Sequence, residues 1–553
     1  MASDKFLRKN ELYINANGIQ VQYINDKRGM RQNFLLHEPP DGNGAVRIDL
    51  RIQTKGCSWV LHKDENTIAI QDETGLNELM RYTDLRCWDA DGNDILAQMV
   101  ELGPNEVSIL FSDRGYRYPI FVDPLNLVRA WAGPTNPSGS KFGYAVSGVG
   151  SLYQGSAGGV MVGAPYFDTV NYTDAGKVFV YSFENGPPPA SPTWTKEGEN
   201  AYDHFGWSVA DAGDVDRNNY SDIIIGAPDY DSTGYSNDGK AYIFGGSSTG
   251  LSNTPLWTKV GNQNNAHLGW VVSSGDFKDN GFGDVVVGAP DYDYGFGNSD
   301  NGAVHVFYSQ SGGPSTSPSW SQFGASGAQF GFSIAKVNVN GGADDLLIGA
   351  PSDSSFGSNR GAVYLYLGLS NNSGLSSSVA TYAGGENSGD KFGFSVSDCA
   401  DTNGDNYGDI LVGAPNYGSG ALLTEGKVYL YRGNSSGFNG GASWTPTGGQ
   451  AGAKFGYAVT GGNVDTADSL GDVVIAAPFF DYGGGTDNGK VWFYRGQSGG
   501  NPTLDTQVIS TTSGENLGFS VSYGNPITYS HAGFIIGGPS TSSGGAYVYE
   551  WTE

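Results

Sequence analysis

Acidic residues are closely spaced in one segment that precedes an apolar run, GDVDRNNYSDIIIGAP at residues 213–228. Asp214, Asp216 and Asp222 fall within this segment, and carboxylates so close repel one another unless a positive charge lies among them. Oxygen donors stand at alternate positions, and the seventh position would offer its backbone carbonyl, as in the calcium loop of an EF-hand. The segment therefore predicts a calcium site with ligands Asp214, Asp216, Asn218, Tyr220 and Asp222.

The same spacing occurs a second time, in the segment DTNGDNYGD at residues 401–409. Two segments in one register favour calcium, which takes about six to eight oxygen ligands from carboxylates, amides and backbone carbonyls. The alternative is a plain turn in which Asp and Asn side chains bond to their own backbone. The predicted ligands of this second site are Asp401, Asn403, Asp405, Tyr407 and Asp409.

Both segments belong to a repeat with a period of about 62 residues. Each unit begins with an aromatic residue or Leu followed by Gly, and reaches Gly-Ala-Pro or a close variant some 20 residues later. Four short strands per unit, separated by Gly, Asn, Asp and Ser, predict an all-β, seven-bladed β-propeller with four-stranded antiparallel blades over residues 124–553. The stretch 126–133 is predicted to supply the outermost strand of the last blade and to close the ring. The seven units begin at Phe142, Phe205, Leu268, Phe330, Phe392, Phe455 and Leu517.

Three other units carry an incomplete acidic loop. The third has Lys278 at the third ligand position, where its ammonium would replace a metal or remove the site. The sixth loop is one residue longer than the full pattern and the fourth is one residue shorter, and calcium is left open in all three. Their oxygen donors are Asp276, Asn280 and Asp284 in the third unit, Asn463, Asp465, Asp468 and Asp472 in the sixth, and Asn338, Asn340, Asp344 and Asp345 in the fourth. The first and seventh units lack carboxylates there, so we expect them to be free of metal.

Composition narrows the classes of function. The formal net charge is −27, and no basic stripe is present to neutralise phosphates, so nucleic acid is not expected as a partner. No apolar stretch reaches the roughly 18 residues needed to cross a bilayer. Met1 is followed by polar residues instead of a signal-peptide core, so no export signal is visible.

Catalytic patterns are weak in this sequence. The six histidines are scattered, and no HExxH motif occurs. The stretch 246–250 fits GxSxG, but it leads into a loop instead of a helix. Carboxylates that bind calcium are ionised and cannot act as proton donors. We therefore expect no enzyme.

The loops after Gly-Ala-Pro carry aromatic and polar residues. Successive connections of an antiparallel blade alternate between its two ends, so these loops lie on the face opposite the acidic loops. Tyrosine offers rigid amphipathic area to a protein or a sugar, although the same rings would also close turns and cover the blades. The candidate ligand-binding residues are Tyr230, Tyr292, Tyr294, Tyr417, Phe480 and Tyr482.

The combination of Phe-Gly, an acidic loop and Gly-Ala-Pro resembles the FG-GAP repeat of the integrin α-subunit propeller over residues 124–553. The resemblance implies calcium loops that stiffen the blade edges and a propeller that binds extracellular protein ligands. No inserted I domain or leg region is visible, and the acidic loops lie in other units than in integrins. We expect a monomeric, calcium-stabilised adhesion or ligand-binding module in an extracellular or cell-surface location. A carbohydrate-binding lectin and a purely structural surface repeat are the alternatives.

The first 123 residues have a different pattern. Alternating runs such as AVRIDLRIQ at 45–53 predict a small β-sandwich-like domain that ends at Asp123. Segments such as MRQNFLLHEPPDGNG resemble a domain that precedes FG-GAP repeats in bacterial exported proteins. Cys57 and Cys87 either pair or remain thiols, and Cys399 is expected in the core.

Overall fold

The computed structural model describes residues 139–551 except 157, 184–188, 296–298, 419–421, 465–468, 511, 529–530 and 541–543. Before residue 139 it describes the strands given below and residues 95, 112, 114 and 133. Every regular element in this part of the chain is a β-strand. The chain divides into two compact units, residues 1–128 with 551–553 and residues 129–550.

Seven antiparallel sheets, the blades, follow one another along the second unit. Blades 1 to 3 consist of Ala145–Val149, Gly158–Ala164, Lys177–Phe183 and Trp194–Glu197; of Ser208–Gly213, Asp222–Ala227, Lys240–Phe244 and Trp257–Val260; and of Val271–Gly275, Asp284–Ala289, Ala303–Phe307 and Trp320–Phe323. Blades 4 to 6 consist of Ser333–Val337, Asp345–Ala350, Ala362–Tyr366 and Thr381–Gly384; of Ser395–Asp398, Ile410–Ala414 and Lys427–Tyr431; and of Ala458–Gly462, Asp472–Ala477, Lys490–Arg495 and Thr503–Ile509. Blade 7 consists of Ser520–Thr528, His531–Gly538, Gly545–Trp551 and, at its outer edge, Leu127–Ala132. Isolated bridges from Lys427 to Thr447 and from Leu430 to Trp444 stand in place of a fourth strand in blade 5.

The sheets confirm the predicted all-β, seven-bladed propeller. The strand that precedes the first repeat, Leu127–Ala132, lies beside Gly545–Trp551. Just beyond it, the backbone NH of Gly133 donates to the carbonyl of Ala546 at 2.8 Å. Short hairpins with two-residue strands follow the third strands of blades 3, 4 and 5: Ser309–Gln310 with Gly313–Pro314, Gly368–Leu369 with Gly374–Leu375, and Gly433–Asn434 with Gly437–Phe438.

The hydrophobic core lies between neighbouring blades. The second strand of blade 2, Asp222–Ala227, is buried along its whole length because blades pack on both of its faces. One core cluster joins blade 1 to blade 2 and brings Met161 and Val180 together with Phe205 and Ile223. A fully buried side chain of this kind contributes about 1.5–3 kcal/mol, so an apolar second strand in every unit drives the blades together.

The repeat motif marks a close backbone contact between blades. Gly206, which follows Phe205, has a φ of 89°, in the left-handed region that favours glycine. A Cβ on Gly226 of the Gly-Ala-Pro motif would lie 2.0 Å from the carbonyl oxygen of Gly269 in the next blade. Phe205 is buried and packs edge-on against Tyr242 with ring centroids 5.2 Å apart. Phe-Gly and Gly-Ala-Pro are therefore packing residues.

The described strands of the N-terminal compact unit form three antiparallel sheets. Their strands, in sheet order, are Asp4–Arg8, Glu11–Ala16, Ile19–Asp26, Gly29–Leu36, Ile120–Pro124 and Leu85–Trp88; Ala97–Gly103, Glu106–Phe111 and Val46–Arg51; and Cys57–His62, Thr67–Asp72 and Glu78–Tyr82. Cys87 and Cys399 are buried free thiols. Burial raises the pKa of Cys87 to about 12.

Candidate functional site

The acidic loop of blade 2 connects the first and second strands of that blade. One carboxylate oxygen from each of Asp214, Asp216 and Asp222 lies within 4.8 Å of the other two. Backbone groups of the loop orient two of these side chains: the NH of Asn218 donates to Oδ1 of Asp214 at 2.9 Å and of Asp216 at 3.2 Å, and the NH of Asn219 donates to Oδ2 of Asp214 at 2.7 Å. Three converging carboxylates of this kind fit a hard divalent cation.

The electrostatics of this loop favour a bound cation. Burial, together with the charges of Asp216 and Asp214, raises the pKa of Asp222 to about 7, although backbone hydrogen bonds act in the opposite direction. Burial and the charge of Asp214 likewise raise the pKa of Asp216. No lysine or arginine in the described part of the chain forms an ion pair with these carboxylates. A cation would relieve their mutual repulsion.

The last aspartate of each acidic loop also has a structural role. In blade 2, Oδ2 of Asp222 accepts the NH of Val215 and Oδ1 accepts the NH of Gly246, both at 2.8 Å. These bonds tie the loop to the end of the third strand. Asp345 of blade 4 makes the same pair of bonds, at 3.1 and 2.8 Å. The five aspartates are buried: Asp222, Asp284, Asp345, Asp409 and Asp472.

The acidic loop of blade 5 repeats the main backbone hydrogen bonds of the blade 2 loop. As Asp214 does in blade 2, Asp401 accepts two NH groups of its loop, that of Asp405 at Oδ1 at 3.2 Å and that of Asn406 at Oδ2 at 2.6 Å. The side chain of Asn403 donates to Oδ2 of Asp405 at 3.0 Å, and the NH of Tyr407 donates to Oδ1 of Asp405 at 3.0 Å. Asp409 contacts a guanidinium group, with Nη1 of Arg432 at 2.5 Å from its Oδ2. Within the described ranges, the close group of three carboxylates occurs in blade 2, whereas the loop of blade 5 has the amide Asn403 at the position of Asp216.

The incomplete loop of blade 3 retains part of the same geometry. Asp276 accepts the NH of Asn280 at 2.9 Å and of Gly281 at 2.6 Å. Asp284 accepts the NH of Ser309 at 2.8 Å, and burial raises the pKa of this carboxyl to about 7. Calcium at Asp276, Asn280 and Asp284 stays a prediction.

The incomplete acidic loop of blade 4 is described in full, and that of blade 6 only in part. In blade 4, Oδ1 of Asn338 accepts the NH of Gly341 at 2.8 Å and the side chain of Asn340 accepts the NH of Gly342 at 2.9 Å, so both amides close the turn. Asp344 accepts the NH of Asp276 in blade 3 at 2.8 Å. In blade 6, Asp465 and Asp468 lie outside the described residues. The other two predicted donors there are Asn463, whose carbonyl accepts from Tyr523 at 2.9 Å, and Asp472, which accepts from Val464 at 3.2 Å.

Most of the aromatic residues predicted to bind a ligand pack against their own blade. In three blades the lysine that begins the third strand lies over the ring: Lys240 over Tyr230 at 4.5 Å, Lys427 over Tyr417 at 4.7 Å, and Lys490 over Phe480 at 4.9 Å. Burial lowers the pKa of Lys490 to about 8. These contacts favour the reading in which the rings cover the blades.

The remaining predicted rings differ in exposure. Tyr292 packs with His305 and Phe323. Tyr294 stacks on Phe323 with centroids 3.9 Å apart, yet 52% of its surface is exposed. The backbone NH of Tyr482 donates to Asn488 at 3.0 Å. Tyr294 is therefore the residue of this set best placed to touch a partner.

A circle of aromatic rings surrounds the propeller axis, and sequence reasoning missed it. The residue after each Phe-Gly or Leu-Gly pair is aromatic and half-buried, and neighbouring ring centroids lie 4.7 to 5.5 Å apart all the way round. The ring of Tyr457 contacts Phe479, just after the variant Gly-Ala-Pro of blade 6, so the circle lies on the face of the predicted binding loops. Each such pair adds about 0.5–1.5 kcal/mol beyond burial. The members are Tyr144, Trp207, Trp270, Phe332, Phe394, Tyr457 and Phe519.

The fold and the repeats define a seven-bladed, integrin-like propeller that contains FG-GAP repeats. The FG-GAP repeat family matches residues 205–244 and 392–431. Human phosphatidylinositol-glycan-specific phospholipase D is 28% identical over 310 residues, which are 51% of this chain and 35% of that protein. The bovine phospholipase of the same name is 32% identical over 223 residues, 37% of this chain and 26% of that protein. Integrin alpha-4 of Xenopus laevis is 28% identical over 299 residues, 53% of this chain and 27% of that protein.

These relatives correct one prediction. The sequence led us to expect no enzyme, and that expectation is wrong, because several relatives are named as phospholipases and point to enzymatic activity. The chain spans about a third of the length of the first of these relatives. In the described residues, no helix is long and apolar enough to span a bilayer.

Proposed function

We propose that the protein is a calcium-stabilised extracellular propeller that binds a protein ligand, with an integrin-like mode of adhesion. The observation that carries the proposal is the clustering of exposed apolar side chains on one face. Six of the ten exposed large hydrophobic residues in the described part of the chain lie on the loops after Gly-Ala-Pro or before Phe-Gly. Exposed aromatic clusters of this kind are typical of binding surfaces. The six are Val170, Tyr172, Tyr202, Tyr235, Tyr294 and Leu423.

Calcium enters this proposal at the blade 2 loop. Asp214, Asp216 and Asp222 would hold the ion, with Asn218 and the carbonyl of Tyr220 as further donors. The ion would offset two of the three negative charges and stiffen the end of blade 2 that lies opposite the binding face. An extracellular location agrees with this role, because calcium sites of modest affinity are occupied at extracellular calcium concentrations.

A binding experiment tests the ligand-binding surface. Wild-type protein and a Tyr172→Ser, Tyr202→Ser variant are applied to surfaces coated with extracellular-matrix proteins and to a glycan array, with calcium present. Tyr382→Ser is the matched control, because Tyr382 is 59% exposed but lies on the outer strand of blade 4. We expect at least tenfold weaker binding to protein surfaces for the double variant alone. Binding to defined sugars alone would indicate a lectin, and binding to neither would indicate a structural repeat.

A second candidate function comes from the phospholipase relatives. In this candidate the chain hydrolyses phosphatidylinositol-glycan anchors. The test is the release of a glycan-anchored alkaline phosphatase from membranes by the purified protein. Soluble phosphatase after incubation would support this candidate, and phosphatase that stays with the membrane would oppose it.

A further inference from the structure

Arg432 lies at the end of the third strand of blade 5, beside the acidic loop. It is 8% exposed, and Asp409 is fully buried. Its Nη1 donates to Oδ2 of Asp409 at 2.5 Å and contacts Oγ1 of Thr402. The hydroxyl and the backbone NH of Thr402 also donate to Oδ2 of Asp409, at 2.6 and 3.0 Å. Oδ2 of Asp409 is therefore surrounded by three hydrogen-bond donors.

The same arginine reaches the next blade. Its Nη2 donates to the carbonyl of Gly500 and lies 3.4 Å from Oδ1 of Asn501. The turn that carries these residues also donates directly to the acidic loop, from the NH of Gln497 to the carbonyl of Thr402 at 2.9 Å. The loop of blade 5 is thus held by protein groups on two sides.

The residue at the position of Arg432, directly after the third strand of blade 5, differs from blade to blade. In blade 2 it is Gly245, which has no side chain to reach Asp222. In blade 3 it is Tyr308 and in blade 4 it is Leu367. In blade 6 it is Arg495, which pairs with Asp505 on the fourth strand, Nε to Oδ1 at 2.9 Å. An arginine at this position therefore reaches the loop aspartate in blade 5 and a different carboxylate in blade 6.

We propose that Arg432 is a built-in cation that replaces calcium in the loop of blade 5, so that of the two complete acidic loops only that of blade 2 binds calcium. A guanidinium held by buried hydrogen-bond partners neutralises Asp409, and a divalent ion beside it would be repelled. The residues Asp401, Asn403, Asp405 and Tyr407 then form a hydrogen-bonded turn. This inference uses the proposed blade 2 site only as its comparison.

Calcium titration calorimetry on the full-length chain tests the proposal. The Asp214→Asn, Asp216→Asn variant should bind one ion fewer than wild type, and the Asp401→Asn, Asp405→Asn variant should bind as many ions as wild type, with affinities changed less than twofold. Arg432→Gly should bind one ion more than wild type. Arg495→Gly is the matched control and should add no calcium binding.

Two results would overturn the proposal. One is a second calcium ion in wild type that disappears in the Asp401→Asn, Asp405→Asn variant, which decides the question even if Arg432→Gly does not fold. The other is a folded Arg432→Gly protein that binds no more calcium than wild type. A wild type that binds no calcium, together with an Arg432→Gly variant that binds one ion, would refute the blade 2 site and support the role of Arg432.

Discussion

The acidic loops of blades 2 and 5 have the same length and the same spacing of oxygen donors, yet different neighbours. In blade 2 three carboxylates converge within 4.8 Å, and Gly245 follows the third strand. In blade 5 the last carboxylate is paired with Arg432. The spacing of donors therefore sets the shape of the loop, and we propose that the residue after the third strand determines whether a bound ion or an arginine offsets its negative charge.

Removal of the arginine should have the largest effect. Arg432→Met leaves Asp409 buried without its partner, which costs about 3–5 kcal/mol when a buried pair is broken. We expect a clear fall in the melting temperature of the propeller in chelator, measured by calorimetry. Arg495→Met is the comparison in blade 6. An Arg432→Met protein as stable as wild type would show that the pair does not hold the loop.

Removal of calcium should have the next largest effect, and it should depend on blade 2. At about a thousand times its dissociation constant, one ion adds roughly 4 kcal/mol. EDTA should lower the melting temperature of wild type and of Asp401→Asn, Asp405→Asn alike. The variant Asp214→Asn, Asp216→Asn should melt at one temperature with or without EDTA, and a retained EDTA effect would place the ion elsewhere.

Asp345 allows the structural role of the last aspartate to be measured apart from metal. Asp345→Asn replaces one of two acceptor oxygens by a donor, and each buried group left without a partner costs about 1–3 kcal/mol. The loss should be the same in calcium and in EDTA, as followed by thermal unfolding. A loss that calcium reverses would mean that the loop of blade 4 binds an ion.

Substitution of two histidines away from the acidic loops should have the smallest effects on stability. The pH dependence of stability that the two residues cause should be of opposite sign. Burial lowers the pKa of His267, but the hydrogen bond to Asp291 and the charges of Asp291 and Asp229 outweigh it and raise the pKa above 6.5. Its stabilising contribution is complete below 6.5 and is lost as the pH rises through the raised value. His267→Gln should therefore cost more at pH 6 than at pH 9, and an equal cost at both would contradict this sign.

His305 provides the opposite case. Burial lowers the pKa of His305 to about 4, so the folded state favours the neutral ring, and stability is lost as the pH falls from 6.5 towards 4. The His305→Gln variant should lose less stability than wild type when the pH is lowered from 7 to 5. Equal acid sensitivity of the two proteins would contradict the assignment.

The sequence predicted the propeller because a repeat unit buries its apolar second strand only against a neighbouring unit. It also located the carboxylates of blade 2, since spacing along one loop is local information. The contact of Arg432 with Asp409 joins residues far apart in the chain, and no spacing rule shows which carboxylate an arginine reaches. Lys240 was likewise not expected over Tyr230. The aromatic circle could have been found, because an aromatic residue follows every Phe-Gly or Leu-Gly pair.

The expectation of no enzyme failed for a different reason. Absence of a known catalytic motif is weak information, and repeats of this kind occur in relatives named as phospholipases as well as in integrins. The fold is shared by proteins of different function.

Crystals of the full-length chain grown with terbium in place of calcium give the most direct test of the difference between the two loops. The anomalous difference map should show a peak among Asp214, Asp216 and Asp222 and no peak at Asp401, Asp405 and Asp409. Peaks of equal height at both loops, or a peak at blade 5 alone, would contradict the account.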